Sequence, residues 1–304
     1  MKLIAPDYYP QFRCIADKCR RSCCIGWEID IDPDTREKYR HVPGDFGARL
    51  NASIEDGEVS TFRLGQDERC PMLNENSLCD LITALGEENL CQICADHPRF
   101  RNYFATCTEV GLGLCCEEAA RLILTQNTPM RLICLEDDGE DATLPGDEAE
   151  LLALREELIA ILQDGAQPLE ARLDALLDAV NSSIPERNWA EVYRGLERLE
   201  PAWDDALAWL VEAPVSIPDR FETALTNFCV YLLYRHLPGA TEDDDIPGRV
   251  AFCVLSVWVL ATLCAAKPDC ALPDLIEFAR MYSAEIEYSE DNVAALLDAL
   301  WEDA

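Results

Sequence analysis

The stretch FRCIADKCRRSCCIGW, Phe12–Trp27, places four thiols within eleven residues: Cys14, Cys19 and the adjacent pair Cys23-Cys24. A loop of four or five residues can fold back to set its ends side by side, so all four lie within reach of one ion or cluster. Thiolates bind soft metals. An adjacent pair, whose side chains diverge, suits a larger cluster or two sites sharing a wall better than a lone zinc. The spacing, Cys-x4-Cys-x3-Cys-Cys, is neither that of zinc fingers nor the Cys-x2-Cys-x2-Cys-x3-Cys run of bacterial ferredoxins. The expected local structure is a loop-rich module nucleated by metal, which replaces part of a hydrophobic core.

Further thiols follow. Cys70-Pro71-Met72-Leu73 leads to Cys79; Cys91-x2-Cys94 is followed by His97, Pro98 and Arg99; then come Cys107 and a second adjacent pair, Cys115-Cys116. Eleven of the sixteen cysteines thus fall between Cys14 and Cys116. The others, Cys134, Cys229, Cys253, Cys264 and Cys270, lie on or near apolar stretches and read as small core residues. The N-terminal MKLIAPDYYPQF has no apolar run of signal-peptide length, so the expected location is cytoplasmic. Thiols stay reduced there, and metal ligation explains their density better than disulfides do.

Phe12-Arg13-Cys14-x4-Cys19-x3-Cys23-Cys24-x-Gly26-Trp27, Cys70-Pro71-x-Leu73…Leu78-Cys79, Cys94-x3-Pro98-Arg99 and Leu114-x-Cys116-x-Glu118-Ala119 together resemble the flagellin lysine N-methylase family. That family sits within wider CxxCxxCC proteins described as zinc- or iron-chelating. The resemblance spans about residues 8 to 126. It implies an iron–sulfur cluster of the four-iron (4Fe-4S) type, with zinc as the alternative metal. It also implies methyl transfer from S-adenosylmethionine to lysine side chains of flagellin or another lysine-bearing protein. The metal ligands it implies are Cys14, Cys19, Cys23, Cys24, Cys70, Cys79, Cys94 and Cys116. Cys91, Cys107 and Cys115 fall outside the motif and rank lower as ligands. One four-cysteine centre and two such centres both remain open.

Beyond Cys116 the texture becomes helical. Apolar residues recur at helical spacing in 117–126, 148–163, 169–180, 189–199, 202–211, 219–236, 246–267, 272–286 and 290–301. Pro168, Pro185, Pro201, Pro218, Pro247 and Pro273 stand at or near the starts of these runs, where a missing N–H costs nothing, and Ser289 is placed to cap the last. Short strand-like runs occur at 27–31 and 61–64. The expected fold is mainly α: a loop-rich cysteine-cluster domain with short strands over 1–135, an acidic linker at 136–147, and an all-α domain over 148–304. Val250–Ala266, seventeen residues without a charge, is short for a membrane span and reads as a buried central helix.

Charge narrows the partners. With 25 Lys+Arg against 58 Asp+Glu, a net −33, the chain repels phosphate backbones and anionic membranes. No nucleic-acid or membrane partner is therefore expected, whereas a basic or lysine-bearing protein suits it. No methyl-donor site is visible. Gly111-Leu112-Gly113 lacks the third glycine of a dinucleotide loop, and in the radical pattern Cys-x3-Cys-x2-Cys the third place after Cys19 and Cys23 is held by Gly26. Catalytic and cofactor-binding residues are thus unassigned. His97 reads as a loop residue beside Cys94, Arg99 as a charge near a ligand, and Tyr8, Tyr9, Phe12 and Trp27 as a screen for the first thiols. The alternative function is a non-enzymatic iron–sulfur or zinc module with a helical protein-interaction domain. Electron transfer is a weaker third reading, since no flavin or haem motif accompanies the cysteines.

Overall fold

The computed structural model describes residues 1–139, 143–210 and 216–301. Two compact units emerge: Arg13–Arg99, and a discontinuous unit of Met1–Phe12 with the chain from Phe100 onward. The discontinuity follows from strand pairing. The first strand, β1 (Lys2–Pro6), pairs in parallel with a strand that comes only after residue 100, so the whole Arg13–Arg99 unit forms the connection between them.

Within Arg13–Arg99 the elements are β2 (Asp30–Ile31), α1 (Pro33–Arg40), α2 (Gly44–Ala52), β3 (Ile54–Glu55), β4 (Ser60–Phe62), α3 (Asp80–Leu85) and α4 (Gln92–Asp96). The strands form an antiparallel sheet in the order β2-β4-β3. Helix α1 begins where Asp32 accepts from Thr35 N (2.9 Å) and Pro33 opens the first turn. Arg36, buried on α1, is held by Asp56 and Asn51. A small core of Ile31, Tyr39, Leu50, Phe62 and Met72 lies between sheet and helices.

The other unit continues with β5 (Arg99–Tyr103), β6 (Cys107–Leu112), α5 (Glu117–Leu124) and β7 (Leu132–Asp137). Its sheet runs β5-β6-β1-β7, with β1 parallel to β6 and antiparallel to β7. Helices follow: α6 (Gly146–Gln163), α7 (Leu169–Ala179), α8 (Trp189–Gly195), α9 (Pro201–Leu207), α10 (Glu222–His236), α11 (Ala240–Asp243), α12 (Ile246–Ala266), α13 (Leu272–Tyr282) and α14 (Glu290–Trp301). A π-turn, Ser283–Glu287, extends α13.

The protein is mainly α, as its periodicity predicts. The end of the 202–211 run, Val211, lies outside the described residues, as do 140–142 of the acidic linker and 302–304. Residues 136–137 of that linker complete β7, and the compact units divide at 13 and 99. Sequence patterning missed the four-stranded sheet. Its strands lie far apart in the chain, and β1 and β6 are runs too short to separate from helical or buried-loop patterns.

Helix α12 packs mainly on α10, α14, α13 and α7. It is the one helix among the described residues long and apolar enough to cross a membrane, and 78% of its apolar window is buried inside the protein. Asp245 caps it, accepting from Gly248 N (2.8 Å) and from Trp301 Nε1 (2.8 Å). Ser289 Oγ accepts from Asn292 N (3.2 Å) and caps α14 as expected.

Two buried charges tie sheet to helices. Arg155 of α6 donates through Nη1 to Glu109 of β6 (2.7 Å), and both side chains are 2% exposed. The guanidinium also lies over the Tyr234 ring at 5.1 Å. Removing one partner strands a charge in the core. Glu109→Ala should cost about 3–5 kcal/mol, read as a lower urea midpoint, and the apolar double variant Glu109→Leu/Arg155→Met should recover most of it. A Cβ at position 248 would lie 2.0 Å from Asp245 Oδ2. Gly248→Ala should therefore dislodge the α12 cap and cost about 1–2 kcal/mol in the same assay.

Candidate thiolate centre

Backbone pairing gathers the thiols of the Arg13–Arg99 unit. Gly26, at φ +81°, takes a left-handed conformation that other residues resist and turns the chain immediately after Cys23-Cys24. Gly26 N donates to Glu68 O (3.2 Å) and Cys70 N to Cys24 O (2.8 Å), with Ile25 and Arg69 bridged antiparallel between them. Cys24 and Cys70, remote in sequence, become neighbours. Leu73 and Cys79 bridge across a turn held by Asn74, whose Oδ1 accepts from Asn76 N (2.9 Å) and Leu78 N (3.1 Å). Cys91 immediately precedes α4. That corner is pinned by Gln92 N donating to Asp32 Oδ2 (2.9 Å) and by Tyr39 Oη donating to Asn89 O (2.8 Å).

The result is one thiol-lined core. Cys70 and Cys91 are buried, and Cys24, Cys79 and Cys94, each half-buried, pack against the same apolar cluster. Electrostatic contact links Cys70 with Cys24, Cys79 and Cys91, and links Cys94 with Cys91, Cys24 and Cys70. Burial pushes the Cys70 thiol up to about 12 and raises Cys79. The hydrogen bond from Cys23, aided by Arg69, holds Cys24 down at about 7 despite its burial. Cys91 and Cys94 share a hydrogen bond that lowers the first and raises the second. Thiolates are the donor type that thiophilic metals take. No three His, Cys, Asp or Glu side chains among the described residues stand close enough to share a single ion.

The other four cysteines of the motif are more exposed or belong to the other unit. Cys14 and Cys23 are exposed and Cys19 half-buried. Cys14 Sγ accepts from Ala16 N (3.4 Å), and Cys19 Sγ donates to Arg21 O (3.2 Å). Cys116 belongs to the other compact unit, at the start of α5 beside the buried Cys115, and Cys107 lies on β6. Tyr8 and Phe12, expected to screen the first thiols, are core residues of that same unit. His97 stays neutral, since burial and Arg99 bring it down to about 4. Arg99 Nη1 donates to Ala95 O (3.2 Å) at the end of α4.

Two residues of this core region stood outside the motif in the sequence. Cys91 carried a signal, the chain's one Cys-x2-Cys spacing. Arg69, which donates to Asn74 O (2.7 Å) while acting on Cys24, carried none.

Gly111 and Gly113 are packing glycines: a Cβ would lie 2.2 Å from the Phe100 ring at the first and 2.2 Å from Tyr288 Oη at the second. The helical unit also holds a buried polar group at the π-turn. Glu287 Oε2 meets His236 Nε2 (2.7 Å) and accepts from Tyr231 Oη (2.9 Å), while Arg235 lies between the Phe100 and Tyr288 rings. Burial pushes the Glu287 carboxyl up, but Arg235 and His236 outweigh it and hold the group ionised.

No family model matches the chain, and no solved structure matches it. Curated relatives do. Proteins named Lysine-N-methylase from Salmonella typhimurium and Salmonella choleraesuis are each 30% identical over 137 residues, covering 42% of this chain and 33% of their own length. The flagellar biosynthetic protein FliU of Salmonella muenchen is 29% identical over 137 residues, 42% of this chain and 79% of that protein. The chain thus spans about a third of the length of the lysine-N-methylases it matches. Over that 42% of its length, this chain is a homologue of the Salmonella proteins named Lysine-N-methylase and FliU.

Proposed function

We propose that this chain is a thiolate-metal protein that transfers methyl groups from S-adenosylmethionine to lysine side chains of flagellin or a similar lysine-bearing protein. The observation that carries the reading is the homology to proteins named Lysine-N-methylase over 42% of the chain. Two features of the molecule support it. The net charge of −33 draws lysine-rich surfaces and opposes polyanions. Of the eight cysteines in the motif, Cys24, Cys70, Cys79 and Cys94 pack on one apolar core.

In the transfer, the sulfonium–methyl bond breaks as a bond forms from the neutral lysine nitrogen, S-adenosylhomocysteine leaves, and the methylated ammonium gives up one proton to water. A four-iron cluster, when bound, supplies redox and Lewis-acid chemistry. The chain's own contribution is to bury Cys70 and to set Arg69 near Cys24, where it favours the thiolate.

A second reading, a non-catalytic metal module with a helical docking domain, draws on one fact: the chain spans about a third of the length of the lysine-N-methylases. One experiment separates the two. Protein purified without air is incubated with flagellin and methyl-labelled S-adenosylmethionine. The expected result is label on lysine side chains, located by mass spectrometry. A metal-loaded chain that leaves flagellin unlabelled overturns the enzymatic reading in favour of the second.

A further inference from the structure

Strand β7 (Leu132–Asp137) is an outer strand of the sheet β5-β6-β1-β7, paired on one side with β1. Backbone bonds set which of its groups face outward. Lys2 N donates to Thr106 O (3.2 Å), toward β6, and Asp7 N donates to Arg131 O (2.8 Å), toward the β7 side. Successive residues of a strand turn their main-chain groups to opposite sides. Lys2, Ile4 and Pro6 therefore face β6, and Leu3 and Ala5 face β7. In β7 the residues opposite Ile4 and Pro6 are Cys134 and Leu132, so the N–H and C=O of these two point away from the sheet. Past a bulge at Leu135, Asp137 opposite Lys2 does the same. Among the described residues, no main-chain bond from outside the sheet reaches Leu132, Cys134 or Asp137.

Natural sheets close such edges with lysine or proline. Strand β7 has neither; its exposed side chains are Cys134, Glu136 and Asp137, beside the half-buried Ile133 and Leu135. Asp137 stands 3.9 Å from Lys2 Nζ and keeps 48% of its side-chain surface exposed. From Leu132 to Leu154 the chain carries eight Asp+Glu and no Lys or Arg. The opposite edge, β5, carries Arg99 and Arg101 instead. An acidic edge on a chain of net charge −33 repels an acidic strand. A basic strand gains ladder hydrogen bonds and opposite charge together.

We propose that the free edge of β7 docks an extended lysine-bearing segment of a partner protein, which adds to the sheet as a fifth strand. This rests on the reading of a lysine-bearing protein as partner, and not on methyl transfer. The segment's main-chain groups pair with those of Leu132 and Cys134, and its lysines meet Glu136 and Asp137.

The test measures, by fluorescence anisotropy, binding of the full chain to a labelled, end-capped peptide of alternating Lys and Thr. Cys134→Pro keeps the sheet, because the N–H it removes faces water, and blocks an incoming strand. Glu136→Lys/Asp137→Lys reverses the local charge, and Asp174→Lys/Asp178→Lys makes the same change on α7 as the control. The expected result is binding that falls about tenfold or more in Cys134→Pro and in the β7 reversal, and stays near wild type in the control. The Glu-Thr counterpart and a peptide N-methylated throughout are expected not to bind. Absence of wild-type binding overturns the proposal. So does undiminished binding to Cys134→Pro, or equal binding of the N-methylated peptide, which marks charge attraction without strand pairing. Self-association lost in Cys134→Pro, with no peptide bound, assigns the edge to a second copy and also overturns it. Far-UV circular dichroism checks folding; should Cys134→Pro be unfolded, the N-methylated peptide on the wild-type chain decides. Peptide binding without methyl transfer sinks the proposed reaction and leaves the docking edge standing.

Discussion

Burying sulfur costs little while it keeps its proton and a great deal once it ionises, and the Arg13–Arg99 unit is built around that constraint. Its apolar core is small, and five thiols share it. Left alone, burial holds Cys70 and Cys79 as neutral thiols. A soft cation changes the balance by binding the thiolate form and replacing water as its stabiliser. The pairing of residues 24–26 with 68–70 brings Cys24 and Cys70 together through their backbones. Metal would then add cross-links to a unit whose apolar core alone is thin.

The helical unit handles buried charge differently, by exact pairing within the protein. Glu109 and Arg155 meet where the sheet joins α6, and Tyr234 covers the guanidinium. At the π-turn, Glu287 gathers Tyr231, His236 and Arg235. Tyr231 also accepts from Leu114 N (3.3 Å), so this group fixes the loop that carries the Leu114-x-Cys116 motif. The glycine at 113 exists because Tyr288 and Arg235 crowd that loop. A motif resembling part of a family thus owes its local shape to residues more than a hundred positions away.

Much of the fold was readable in the chain. Helices α6 to α10 and α12 to α14 follow apolar spacing and proline placement, because each buries one stripe and tolerates proline only in its first turn. The cap at Ser289 and the buried character of α12 were legible for the same local reasons. The sheet β5-β6-β1-β7 was not. Its central pairing joins Lys2 to Cys107, and no local pattern reports a partner so distant. The thiol cluster was half legible. Cysteine density set apart the N-terminal region, and Cys24, Cys70, Cys79 and Cys94 do share a core. The burial of Cys91 beside these thiols was not legible because spacing compared with a family motif cannot weigh burial, nor was the place of Arg69 near Cys24, which only the fold sets.

What the sequence alone determined is composition-driven: an acidic, mainly helical chain whose N-terminal third is rich in soft donors. Periodicity, capping and ligand type are local properties, so they can be read along the chain. Tertiary structure decided which thiols are neighbours, which cysteines stay at the surface, and that Met1–Phe12 joins the chain from Phe100 onward. These follow from long-range backbone hydrogen bonds and from burial. Both depend on which distant segments pack together, and a linear pattern does not encode that geometry.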